Sequence, residues 1–402
     1  MKITAIETVR LAAHPHVLFV RVHTDTGLAG LGDTWRNAPT VEAFVHDVAA
    51  PLLLGHDPCA VERHWRTLYR ASGQGGVATP YGAEIRAISA LDVALWDVFG
   101  QALGLPVYRL LGGPTQDKVR IYNTCAGYRY GAARPADSAA TFTDGRVEGP
   151  YEDLDAWKAD AGALARSLLA EGITAMKIWP FDQFGPETGG QWITAAQIER
   201  SLQPFRQIRD AVGRDIEVAL EMHSVWNLPS AIRIAQAVEP YDPLWYEDPL
   251  RMDNLDALAS FKASTRVPTV ASETLATRYA FRELLAKQAV SIVMFDCGWV
   301  GGLTEAKKVA AMAEAHHLPV APHDCTGPVN YVADVHLDFA ITNCYVQETV
   351  RAYIHGWYAE LVTALPRIER GYVYPLDGPG LGTQLRPAVF QRPDVTVRRT
   401  AL

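Results

Sequence analysis

Six ionisable residues return at nearly constant intervals along the second half of this 402-residue chain: Glu221, Glu247, Glu273, Asp296, His323 and Glu348 are spaced by 26, 26, 23, 27 and 25 residues. Each closes a short apolar run. Eight such runs read as strands, at 119–123, 175–179, 216–222, 244–247, 268–272, 291–295, 318–322 and 343–347, with amphipathic helical patterns between them. One strand, its helix and two loops fill each interval, so the strands run parallel and the six groups return to one rim. The runs lack polar alternation, as strands buried on both faces require. Eight of them predict a closed parallel barrel, whose active site lies at the C-terminal ends of its strands. A doubly wound sheet would carry a Gly-rich phosphate turn after its first strand, and NTCAGYRYG (123–131) does not match one.

The flanks read differently. The first 60 residues read as strands and turns, with a hairpin over 17–34 turning at Asp25, Thr26 and Gly27. A helix follows in AEIRAISALDVALWDVFGQALG (83–104), where Ile85, Ile88, Leu91, Leu95 and Val98 share a face and Gly104 is the stop. GYVYPLDGPGLG (371–382) is rich in Gly and Pro and reads as a return to the first unit. The expected organisation is an α+β capping domain over 1–118, a barrel over 119–364, and a C-terminal segment, 365–402, that rejoins the cap.

Bulk properties narrow the function. A formal net charge of -8 argues against nucleic acid as a partner. No run of about 18 apolar residues is present, which removes a transmembrane helix. The opening MKITAIETVRLAAHP has no signal-type apolar core, so a cytoplasmic protein is expected. Cys59, Cys125, Cys297, Cys325 and Cys344 form no C-x-x-C pair and read as reduced thiols.

Glu221, Glu247 and Glu273 on one rim would repel and raise each other's pKa unless a cation held them. Three hard oxygen ligands suit Mg²⁺, and no Cys or His cluster competes for Zn²⁺. His223 stands two residues past Glu221, the spacing that puts both on one face of a strand.

These residues sit in segments that together resemble the enolase superfamily, in its mandelate racemase/muconate lactonizing enzyme-like branch. The resemblance rests on AISALDVALWDVFGQALGLPVYRLLGG (87–113), YEDP (246–249), ASE (271–273), VMFDCGWVGGLTEAKKVAAMAE (293–314), APHDCTGP (321–328) and GPGLG (378–382), all in the family's order. It implies a modified TIM barrel, (β/α)7β, capped by an α+β domain from both termini. Its shared chemistry is removal of the proton beside a carboxylate, giving an enediolate held by one Mg²⁺ per subunit. The resemblance assigns Glu221, Glu247 and Glu273 as metal ligands and His323 with Asp296 as a His–Asp dyad. Glu348 falls on the position that hydrogen-bonds a substrate carboxylate. It also implies a homo-oligomer, from dimer to octamer.

Two departures bear on the reaction. The strand AMKIWP carries Lys177, matching the first lysine of the family's Lys-x-Lys, but Trp179 replaces the second. His223 occupies a position where racemases carry Asn and several sugar-acid dehydratases carry His, which can protonate a departing hydroxyl. Together they favour a sugar acid as the small-molecule partner and dehydration to a 2-keto-3-deoxy acid. Alternatives are a cycloisomerase opening a 3,6-anhydro sugar acid, a racemase or epimerase, and a catalytically silent barrel that binds sugar acids. Trp35 and Arg36 in the cap, with Trp179 and Trp299, are expected substrate contacts, alongside HPH (14–16) and RAYIHGWY (351–358).

Overall fold

The computed structural model describes residues 1–71, 82–128, 130, 149 and 151–402; parts of the 119–364 span, including residues 129 and 131 of the 123–131 turn, lie outside them. Strands β1 (Ile3–Leu11), β2 (His14–Thr24) and β3 (Ala29–Trp35) form an antiparallel sheet, joined at its β1 edge by the last strand, β13 (Val395–Ala401). The β2–β3 turn closes as the sequence indicates. Thr24 N–H donates to the Leu28 carbonyl at 3.0 Å, and Gly27 adopts φ 83°, a left-handed conformation that a side chain would strain.

Residues 38–53 are helical, which corrects the reading of strands and turns across the first 60 residues. Val41, Val45, Ala49 and Leu53 recur every four residues and are all buried. The period is helical, but Pro39 and Pro51 interrupt it in the sequence. The Ala83–Leu103 helix lies so close to β3 that a Cβ on Gly30 or Gly32 would come within 2.0 Å of the Ala94 or Ala90 carbonyl oxygen. Gly104, at φ 67°, ends this helix.

The second sheet is parallel through β4 (Val119–Thr124), β5 (Ala175–Ile178), β6 (Glu217–Glu221), β7 (Tyr246–Glu247), β8 (Thr269–Ala271) and β9 (Ile292–Val293), and β10 (Gln347–Thr349) pairs with β4. The fold is the expected capped α/β barrel, but its hydrogen-bonded ladder is not continuous. Past β9 the connection is carried by single bridges, Val293 to Val320 and Val320 to Cys344. The strand expected at 318–322 shrinks to a bridge because Pro319 and Pro322 have no N–H to give a ladder. The last barrel strand lies at Gln347–Thr349 rather than 343–347.

Tyr122, Ala175, Ala219, Trp245, Val270, Ile292, Met294, Ala321 and Val346 fill the barrel interior as one buried cluster. Two residues beyond seven of these stand Thr124, Lys177, Glu221, Glu247, Asp296, His323 and Glu348. The period of two therefore turns all seven inward at the top of the barrel. Glu273 is out of step, since the position two past Val270 is Ser272.

The C-terminal segment divides. β11 (Arg367–Glu369) and β12 (Tyr372–Tyr374) form a hairpin whose β12 pairs antiparallel with β4, before β13 returns to the cap sheet. Among the described residues, no helix is long and apolar enough to cross a membrane.

His336, in the Pro328–Asp338 helix, ties this return to the barrel: its Nδ1 accepts from Tyr108 N–H at 3.3 Å and its Nε2 donates to the Leu381 carbonyl at 3.1 Å. Burial holds its pKa down to about 4, so the folded protein keeps the neutral ring that this pairing needs. Unfolding frees the ring to take a proton below about 6.5. The contribution is therefore complete above that pH and declines as pH falls toward 4, by roughly 3 kcal/mol. In His336→Gln, the loss of thermal stability between pH 6.5 and 4 should be smaller than in the parent protein. Parallel losses in the two proteins, followed by circular dichroism, would refute this coupling.

Candidate active site

Glu221 and Glu247 lie side by side in register on β6 and β7, and Glu273 follows β8. One carboxylate oxygen from each lies within 4.8 Å of the others. Glu221 is further held by its own strand end, since Oε1 accepts from the N–H groups of Met222 at 2.9 Å and His223 at 2.6 Å. Trp245 Nε1 donates to Glu247 Oε2 at 2.9 Å.

Lys177 reaches into this group from β5. Its Nζ lies 2.5 Å from Glu247, 2.9 Å from Glu348 and 3.4 Å from Glu221, and the lysine is buried. Burial opposes its charge, but Glu247 and Glu348 outweigh that and raise its pKa well above the ordinary value. Burial and Glu221 push Glu247 up, whereas His223 and Lys177 overcome burial and hold Glu221 down. A hard, all-carboxylate donor set, with Glu221 and Glu247 buried and Glu273 half-buried, could hold a divalent cation.

Two histidines flank the carboxylates, each with its own acid. His323 Nδ1 lies 2.8 Å from Asp296 Oδ2, and its Nε2 lies 3.0 Å from Glu273. Asp296 is fixed by Gly298 N–H at 2.7 Å. Burial works against a charged His323, but Glu273 and Glu348 raise its pKa well above the usual histidine range. His223 Nδ1 lies 2.5 Å from Asp182 Oδ2, and its Nε2 lies 3.2 Å from the Tyr130 hydroxyl. There too burial is outweighed, by Glu221 and Asp182, and the pKa rises to about 9. His223 ends β6 and His323 follows the Val320 bridge. These positions are four apart in the ring of eight, so the two histidines face each other across the rim.

Trp179 fills the position beside His223 as an aromatic wall, its ring edge-on to the imidazole at 5.6 Å. Glu348 accepts from the Thr124 hydroxyl and, at 2.9 Å, from Asp324 N–H. The cap approaches from the His323 side: Trp35 stacks on Trp299 with centroids 6.1 Å apart, and Trp299 lies 5.4 Å from the His323 ring. Arg36 stacks on Trp35 and Arg86 on Trp299. His14, His16, Trp35, Tyr128, Tyr353 and Trp357 line a small, narrow cleft. The rim thus gathers the expected ionisable residues, with Trp35, Trp179 and Trp299 around them and Arg36 at the exposed edge.

Sequence reading missed Asp182, Thr124, Tyr130 and Arg86. Thr124 had a signal, the inward phase of the first barrel strand. Asp182 lies only three residues past Trp179, but its loop follows no period. Arg86 comes from a cap helix, and only tertiary packing brings it to the rim.

The comparisons bear on the family and the fold. Residues 3–112 match the family model described as mandelate racemase / muconate lactonizing enzyme, N-terminal domain, and residues 160–389 match the enolase C-terminal domain-like model. A D-galactonate dehydratase of Ralstonia pickettii is 33% identical over 400 residues, covering 97% of this chain and 93% of that protein. One from Pectobacterium atrosepticum is 33% identical over 396 residues, covering 96% and 92%. A crystal structure of an enolase of the mandelate racemase subgroup from Agrobacterium tumefaciens superposes with a TM-score of 0.87 at 43% identity, covering 100% of this chain and 99% of that one. An enolase protein from Sargasso Sea environmental sequencing gives the same score and coverage at 40% identity. The chain is an enzyme of the enolase superfamily and belongs to its mandelate racemase/muconate lactonizing enzyme family.

Proposed function

We propose that this enzyme is a Mg²⁺-dependent dehydratase of sugar acids, removing the proton beside the carboxylate and expelling the β-hydroxyl to give a 2-keto-3-deoxy acid. The observation that carries the reading is the pair of histidine–carboxylate dyads, His323–Asp296 and His223–Asp182, on opposite sides of one carboxylate trio. Dehydration needs a base for the α-proton and an acid for the leaving oxygen. Two separately oriented imidazoles supply both. The names of the relatives from Ralstonia pickettii and Pectobacterium atrosepticum support the same reaction.

In this reading Asp296 holds the Nδ1–H of His323, and Nε2 is freed to take the α-proton once the charge of Glu273, which holds a proton there, is offset by a cation bound at the trio. Lys177 neutralises the substrate carboxylate, and Glu348, fixed by Thr124 and Asp324, shares a hydrogen bond with it. Bound at Glu221, Glu247 and Glu273, Mg²⁺ would supply positive charge against the negative charge that develops on the substrate carboxylate. His223, oriented by Asp182, gives its Nε2 proton to the departing hydroxyl. Trp179 supplies no second base on β5, which disfavours racemisation. Opening of a 3,6-anhydro ring is a second reading, favoured by the aromatic side chains Trp179, Trp299 and Trp35 around the two dyads, which suit the apolar face of a sugar.

Incubation with Mg²⁺ and a panel of acid sugars in D₂O should yield a 2-keto-3-deoxy acid; an isomer formed without loss of water would favour ring opening. His323→Asn should slow α-proton exchange by roughly 10²- to 10⁴-fold. His223→Asn should keep exchanging that proton while elimination falls by a similar factor. Undiminished elimination in His223→Asn would remove its role as the acid. Chelation should abolish turnover, and Mg²⁺ should restore it. Mg²⁺ should also raise the melting temperature of the parent protein but not of Glu247→Gln; equal shifts would argue against metal binding by the trio.

A further inference from the structure

Two guanidinium groups stand at the mouth of the site with no carboxylate in contact among the described residues. Arg36 lies with its Cζ 4.8 Å from the centroid of the Trp35 ring, and Arg86 lies 4.1 Å from that of Trp299. The two tryptophans are themselves stacked, at 24°. Among the described residues, neither arginine has an acidic side chain within 4.0 Å, whereas Lys177, Arg278 and Arg351 nearer the barrel all do. Arg86 spends one N–H on the Trp35 carbonyl at 2.7 Å. Its other guanidinium nitrogens have no acceptor among the described residues, and Arg36 makes no side-chain hydrogen bond there.

Stacking uses the face of a guanidinium and leaves its N–H edge available. That edge matches a carboxylate bidentately. Arg36 is also held at φ 78°, a conformation costly for a side-chain-bearing residue and retained where surrounding structure imposes it. Asp296 and Glu273 act on Arg86 from the rim without contacting it, and Arg36 opposes its charge; among the described residues, neither guanidinium edge is occupied by a carboxylate.

The position is on the substrate side of the dyad: Trp299 touches Arg86 on one side and lies 5.4 Å from the His323 ring on the other. We infer that Arg36 and Arg86 receive a second carboxylate, at the end of the substrate remote from the reacting carbon, so that the preferred substrate is a dicarboxylic sugar acid rather than a monocarboxylic one. This rests on the reading that the first carboxylate is held at Lys177 and the metal ligands.

The test is calorimetric binding to the full-length, Mg²⁺-loaded protein of matched pairs: galactarate against galactonate, glucarate against gluconate, mannarate against mannonate. Members of a pair differ in carrying a carboxylate or a hydroxymethyl group at C6. The tightest ligand should be a diacid, preferred over its partner by about tenfold or more. Arg36→Gln and Arg86→Gln should each collapse that ratio, and Arg86→Lys should restore it only in part, because an ammonium keeps the charge but not the fork. Arg36 is on the surface, so its variant keeps the test valid if Arg86→Gln disturbs cap packing. A monoacid as the tightest ligand, no binding by any diacid, or a ratio indifferent to both arginines would overturn the inference. Product analysis separates this from the dehydratase reading. Arginine-dependent diacid binding without a 2-keto-3-deoxy product would overturn only the reaction, and dehydration of a monoacid with no diacid preference would overturn only the second carboxylate site.

Discussion

Everything at the rim depends on how one buried lysine is balanced against the carboxylates around it. Lys177 contacts Glu221, Glu247 and Glu348 at once, in a place almost closed to water. Removing one partner of a buried ion pair commonly costs about 3–5 kcal/mol because the other is left charged and unsolvated. Here one lysine is shared among three carboxylates, and His223 and His323 flank the same group. Glu221 and Glu247 also belong, with Glu273, to a cluster that could hold a metal ion, and the barrel is the scaffold that keeps these carboxylates together.

The barrel can impose this because its interior below the rim is packed with Tyr122, Trp245, Met294 and small alanines. The ionisable layer rests on a filled apolar layer two residues beneath it and cannot sink or relax. The cap is fixed just as tightly. The carbonyls of Ala90 and Ala94 occupy the space at Gly32 and Gly30, and Asp33 receives the N–H groups of Val329 and Asn330 at 3.0 and 2.8 Å. This joins β3 to the barrel helix that follows the dyad, and it sets Trp35 against Trp299. Side chains from the cap and from the barrel thereby meet at one surface.

Much of this is legible in the amino-acid sequence. Glu221, Glu247, Asp296, His323 and Glu348 stand out because each ends an apolar run and the repeat length carries them to one rim. Pairings across the site are not legible there. Asp182 meets His223, and Thr124 meets Glu348, through contacts between residues 41 and 224 positions apart, and no local pattern records such distances. The helices at 38–53 escape notice because two prolines hide a four-residue period. The segment at 318–322 looks more strand-like than it is, because apolar character does not reveal that Pro319 and Pro322 lack N–H donors where a ladder would need them.

The sequence by itself determined the barrel, its inward-facing layer and the charge gathered there, because strand period and repeat length are local properties that any parallel closure must respect. Only the tertiary structure decided that Asp182 is the acid beside His223, that Tyr130 reaches the same ring, and that Arg86 of the cap stands beside Trp299. These depend on the curvature of strand ends and on the docking of one unit on another. Distances of a few ångströms there are set by packing between segments remote in the chain.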